Sequence, residues 1–126
     1  MTINELQNVD KDLLIAFICC CKMFKNQYPA KGLPYVVSGY RTIQEQQNIR
    51  EKLGYTSDSQ PSGANGLPMA ARPGKSKHEQ GLAIDVYGHS WNPNDYRTFG
   101  LMMIQVNNKV VYPISENDLC HIEIRR

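Results

Sequence analysis

The stretch Ser76-Lys77-His78-Glu79-Gln80-Gly81-Leu82-Ala83-Ile84-Asp85 sets a histidine and an aspartate in His-x6-Asp spacing at the mouth of a short apolar run. A second histidine, His121, stands near the end of the chain, with Asp118 three residues before it. Two imidazoles and a carboxylate suit a tetrahedral zinc ion whose fourth position is left to water. A separate carboxylate beside such an ion can serve as its general base. On this reading His78, Asp85 and His121 are the donors to Zn2+, and Asp118 moves the proton from water to a leaving amine. Each piece taken singly has a plainer explanation: a structural histidine, or an aspartate closing a turn.

The elements around these residues decide whether they can meet. From Gly81 the pattern becomes that of a strand, with Leu82, Ile84 and Val86 on one face and Gly81, Ala83 and Asp85 on the other. The apolar triplet must face a core, which leaves Asp85 above two very small residues. Residues 119–124 read as a final strand with Leu119, His121 and Glu123 on one side and Cys120, Ile122 and Ile124 on the other. Cys120 is therefore expected to point away from His121. Glu123 shares the side of His121; it competes with Asp118 as base, but support of a ligand is its expected task.

Upstream, residues 4–27 read as one amphipathic helix with Asn4 as N-cap, its apolar positions recurring at spacings of three and four. Residues 34–40 form an expected short strand leading into Ser38-Gly39-Tyr40-Arg41-Thr42. Thr42 followed by Glu45 is a capping box that opens a helix from Ile43 to about Leu53. Arg41 is thus held between a strand end and a helix start, from where its guanidinium can clamp a substrate carboxylate or an oxyanion; an ordinary surface arginine is the alternative. Residues 54–77 carry no periodicity, and a loop of that length is either one wall of a cleft or mobile. Ser76, two residues before His78, is placed to hydrogen-bond substrate backbone. Asn92-Pro93 starts a further helix in which Met102 and Met103 fill core, with Gly100 a weak point, and residues 110–112 suggest a strand ended by Pro113. His89 lies in a loop and receives no role.

A chain of 126 residues is expected to form one domain over 1–126, large enough to bury a core without a metal staple. A metal here is therefore expected to be catalytic. The net charge of +2, with scattered basic residues, excludes a nucleic-acid binder by charge. Cys19, Cys20 and Cys21 are adjacent and cannot make a disulfide framework, so reduced thiols and synthesis in the cytoplasm are expected. The apolar run from Leu13 to Cys21 is too short for a membrane span and lacks the flanks of an export signal. A monomer without membrane insertion is the expectation.

The blocks S-G-Y-R-T, P-G-K-S-K-H-E-Q-G-L-A-I-D-V and D-L-C-H-I-E, in that order, resemble the zinc peptidases of bacterial cell-wall peptides: D-alanyl-D-alanine carboxypeptidases and dipeptidases, and the L-alanyl-D-glutamate endopeptidases of phage endolysins. The resemblance implies zinc on His78, Asp85 and His121, catalysis by Asp118, Arg41 as substrate or transition-state clamp, and a peptidoglycan stem peptide as substrate. It implies an α+β fold in which helices pack on a small antiparallel sheet, as in the hedgehog signalling domain. Asp118, where carboxypeptidases usually carry Glu, looks more like the alanyl-glutamate endolysins. Their Trp-Gly-Gly stretch is replaced here by Leu101-Met102-Met103-Ile104-Gln105-Val106. The expected activity is hydrolysis of the L-Ala–D-Glu bond at the cell wall, in phage lysis or on a virion, with D,D-carboxypeptidase the alternative. A non-catalytic zinc module on the same fold is a third reading, and Asp118 and Arg41 argue against it.

Overall fold

The computed structural model describes residues 6–112 and 118–126. Among the described residues, three long helices, α1 (Lys11–Gln27), α2 (Ile43–Leu53) and α3 (Pro93–Val106), accompany four strands: β1 (Pro34–Ser38), β2 (Ala83–Gly88), β3 (Val110–Val111) and β4 (His121–Ile124). The strands form one antiparallel sheet in the order β1-β2-β4-β3. This is the expected α+β arrangement. Val36, Ile84, Val86, Ile122 and Ile124 point to one face and join Leu13, Cys20 and Phe24 of α1 and Phe99 and Met103 of α3 in the core. Each such buried side chain contributes about 1.5–3 kcal/mol.

The helix expected over residues 4–27 is interrupted: Leu6 and Gln7 are helical, residues 8–10 are not, and α1 starts at Lys11. Asp10 caps it, its Oδ1 accepting from the amides of Asp12 and Leu13, while its own amide donates to Gly81 O at 2.8 Å. That tether turns the chain at residues 8–10 and separates Leu6 and Val9 from the helix; the expected cap, Asn4, lies outside the described residues. The α2 and α3 boundaries fall where the sequence places them, because both capping boxes close: Thr42 with Glu45, and Asn92 with Asp95. Gly100 is no weak point. It is buried, and a Cβ there would collide with the Tyr112 ring, so only glycine lets β3 approach α3. Residues 113–117, including Pro113 and the beginning of the turn before Asp118, lie outside the described residues.

The loop between α2 and β2 is ordered by polar contacts from α2. Arg50, 1% exposed, donates to the carbonyls of Ala70 (2.8 Å), Ser57 (3.2 Å) and Gln60 (2.6 Å) and stacks over the Tyr55 ring at 3.9 Å. Gln46, also buried, donates to Ala71 O at 2.7 Å, and the Tyr55 hydroxyl donates to Pro68 O at 2.8 Å. The segment is therefore a wall built against α2.

Candidate metal centre

β2 and β4 bring the first two donors together. Asp85 and His121 are register partners on the sheet face away from the core, and His121 Nδ1 lies 3.0 Å from Asp85 Oδ1. The third comes from the 3-10 turn Lys77–Gln80. Ser76 caps that turn by accepting the amide of His78, and Gly81 ends it at φ 71°, where a side chain would also strike the backbone of Asn8. His78 Nε2 then sits 3.3 Å from His121 Nδ1 and 3.3 Å from Asp85 Oδ2.

The partner of its outer nitrogen fixes the tautomer of His78. His78 Nδ1 lies 2.7 Å from Gly39 O, and a carbonyl can only accept, so that nitrogen carries the proton. His121 has a carboxylate at each nitrogen, Asp85 at Nδ1 and Glu123 Oε1 3.1 Å from Nε2, and donation from Nε2 to Glu123 leaves Nδ1 as the inward acceptor. With His121 in that tautomer, two imidazole lone pairs and a carboxylate face one another, a donor set suited to a cation. Ligands at 2.0–2.1 Å from a tetrahedral ion are separated by about 3.3–3.4 Å. His78 Nε2 and His121 Nδ1, 3.3 Å apart, fit that spacing, and Asp85 approaches each with a different oxygen, Oδ2 at 3.3 Å and Oδ1 at 3.0 Å, so that one ligand atom from each residue lies within 4.8 Å of the others. Each imidazole also has the outer partner that metal-ligating histidines use.

Charge in the site follows from the same contacts. Burial opposes ionisation of Asp85, but His121 and His78 outweigh it and hold its carboxyl well below the usual range. Burial also opposes a proton on His121, and Asp85, Glu123 and Asp118 together overcome it, raising that imidazole above its ordinary value.

Asp118 lies beside the triangle, its Oδ2 3.8 Å from His121 Nδ1 and its side chain 51% exposed. Arg41 is held by Ser38 Oγ and Gln46 Oε1, both at 2.9 Å, and its guanidinium lies 3.5 Å from Asp85 Oδ2. These groups border a cavity of about 870 Å³ whose far side is the wall at Leu67–Ala71, with Lys75 and Lys77 at its rim. Ser76 also lines it, though its hydroxyl is largely buried and committed to the His78 amide. Glu123 takes the supporting position expected of it, while His89 is remote from the cavity lining.

One expectation fails. Cys120 does not point away from the site, because residues 119–120 form a turn and strand parity begins only at His121. Its thiol reaches Asp118 Oδ1 at 3.6 Å and forms a second close group with Asp85 and Asp118. Burial, reinforced by those two carboxylates, pushes the thiol up to about 12, so it stays protonated and is a poor ligand. Gln46, Arg50 and the Gly39 carbonyl were not foreseen. The available signal was α2 itself: IQEQQNIREKL has too few apolar residues for an apolar stripe, so its buried face had to be polar.

Among known proteins, the fold recurs in the vancomycin resistance D,D-pentapeptidase VanY of a VanB-type cassette, solved with Zn(II), at 24% identity and TM-score 0.61 over 92% of this chain and 72% of that one. VanYB in complex with D-Alanine-D-Alanine matches at 22% identity and TM-score 0.61, covering 92% and 71%. The Serratia marcescens L-Ala D-Glu endopeptidase ChiX matches at 16% identity and TM-score 0.60, covering 97% and 84%. No curated protein sequence matches. The profile of the VanY D-alanyl-D-alanine carboxypeptidase family matches residues 16–110, a span holding Arg41, Ser76, His78 and Asp85 but ending before Asp118 and His121. The chain belongs to the VanY family of peptidoglycan peptidases.

Proposed function

We propose that the chain is a zinc-dependent peptidase that cuts the L-Ala–D-Glu bond of a peptidoglycan stem peptide. The observation that carries the metal reading is the donor triangle of His78 Nε2, Asp85 and His121 Nδ1, closed on the outside by Gly39 O and Glu123. His78, Asp85 and His121 would hold the zinc, which would supply Lewis acidity to the scissile carbonyl and lower the pKa of water. Asp118, half exposed and outside the triangle, takes the proton from the attacking water. As the water oxygen bonds to the carbonyl carbon and the C–N bond breaks, the same carboxyl returns that proton to the leaving amine. Arg41, fixed by Ser38 and Gln46, presents its charge to the carbonyl oxygen or to a substrate carboxylate. Ser76 accepts the His78 amide through its hydroxyl oxygen, and its hydroxyl proton is left for substrate backbone in the cavity it lines.

The choice of bond rests on Asp118 in place of Glu, the feature shared with the alanyl-glutamate endolysins, and the site of action is the bacterial cell wall. The family profile favours a second reading, removal of a terminal D-alanine. Digestion of purified peptidoglycan followed by mass spectrometry separates the two: fragments ending in L-Ala, or loss of one alanine from the stem. Asp118→Asn is expected to keep bound zinc and lose turnover by about 10²–10⁴-fold. A zinc-loaded wild type that leaves every stem peptide intact sinks the reading.

A further inference from the structure

The sheet face that carries Asp85, His121 and Glu123 does not end at the metal centre. Along β2 the next residue on that face is Tyr87, and its partner across β1 is Tyr35. Their rings lie 5.6 Å apart at 59°, and both are exposed, Tyr35 by 55% and Tyr87 by 43%, with Val37 beside them at 46%. The centre and this aromatic pair thus lie on one face of the sheet, the pair outside the cavity lining itself. Two residues along a strand separate Tyr87 from Asp85, or about 6.7 Å.

We propose that the Tyr35–Tyr87 pair is a subsite for the amino-sugar ring to which the stem peptide is attached. The proposal rests on the L-Ala–D-Glu reading. In peptidoglycan the L-alanine is joined through a lactyl ether to the sugar, so the ring lies one residue and a short spacer from that bond. One extended residue spans about 3.5 Å, and the spacer adds a similar length, which matches the step from Asp85 to Tyr87. A pyranose presents apolar C–H faces and a polar rim; a pair of tyrosines presents apolar rings and hydroxyls at their edge. A terminal D-alanine, several residues from the sugar, would leave the platform unused. A tyrosine pair that merely staples β1 to β2 is the alternative, and it would serve every substrate alike.

The test compares kcat/KM for an N-acetylmuramoyl tetrapeptide and for the same tetrapeptide without the sugar, using zinc-loaded protein. Wild type should prefer the sugar-bearing peptide by on the order of tenfold, mainly through KM. The double variant Tyr35→Ala/Tyr87→Ala should lose that preference and keep its rate on the bare peptide, while Tyr35→Phe/Tyr87→Phe keeps most of it. Should the double alanine variant not fold, NMR of the Asp118→Asn protein with the muramoyl tetrapeptide replaces it, and shifts at both tyrosine rings are expected. An equal loss on both peptides, a wild type indifferent to the sugar, or unmoved tyrosine resonances overturns the subsite while leaving the peptidase intact. Self-association through this face, abolished in the double alanine variant, also overturns it. Cleavage of neither peptide by wild type would instead remove the underlying reading.

Discussion

Replacing Arg50 with methionine removes the contact on which the cavity wall depends. The guanidinium is almost fully buried and donates three hydrogen bonds to carbonyls of the 57–70 segment while covering the Tyr55 ring. Hydrogen bonds from a charged group contribute about 1.5–3 kcal/mol each, so the three together reach roughly 4.5–9 kcal/mol. Against this stands the cost of burying the guanidinium, several kcal/mol that methionine does not incur. Methionine fills most of the volume but leaves Ala70, Ser57 and Gln60 carbonyls without a donor, so the net loss should be about 3–5 kcal/mol. With a urea dependence of about 1.5 kcal/mol per molar, the unfolding midpoint should fall by about 2–3 M. Limited proteolysis should also cut between residues 54 and 71 in the variant before it cuts elsewhere. A loss below about 1 kcal/mol, with the wall still protected, would refute the assignment of Arg50 as its anchor.

Three further outcomes follow from contacts of the site and the first helix. Glu123→Gln weakens the partner of His121 Nε2, so zinc affinity, measured against a chromophoric chelator, should fall about 10–100-fold; unchanged affinity would show that Glu123 does not support the ligand. Burial lowers His121, but Asp85, Glu123 and Asp118 outweigh it and raise the imidazole above its ordinary value, so below that raised value the metal-free site holds a proton that zinc must displace, whereas Asp85 stays ionised. Zinc affinity should therefore be flat above that raised value and fall about tenfold per pH unit below it, with proton release visible by calorimetry in buffers of different ionisation enthalpy. Arg126 holds the Asp10 carboxyl below its usual value against a smaller opposing effect of burial. That linkage stabilises the fold above about pH 4 and is lost as pH falls through the lowered folded-state value. Arg126→Ala should then lower the melting temperature at pH 7 and make little difference in strong acid.

What the sequence made legible was the chemistry carried by side-chain type and parity. Alternation along residues 82–86 put Asp85 opposite the core, and it lies there with His121 as its register partner. Two capping boxes marked the starts of α2 and α3 because each is a local exchange of hydrogen bonds with its own residue signature. Parity misled at Cys120, where a turn one residue before the strand rotated the thiol toward Asp118. It misled at Asp10 for a related reason: a long-range hydrogen bond to Gly81 O ended a periodic pattern that continued on paper. Gln46 and Arg50 were hidden because their partners are backbone carbonyls of the loop, and a carbonyl has no residue type.

Two sequence blocks act as one structural unit. The Arg41 amide donates to His78 O at 3.3 Å, and His78 Nδ1 donates to Gly39 O at 2.7 Å. The turn that carries the cation and the turn that carries the ligand therefore hold each other, one through its carbonyl and the other through its side chain. Arg41 closes the loop further by reaching Asp85, the carboxylate that His78 also approaches. A change at Gly39 that moved its carbonyl would release the tautomer of His78 and the position of Arg41 together. Ser-Gly-Tyr-Arg and Ser-x-His are thus two halves of a single junction, and disturbance of either half should reach the centre through the other.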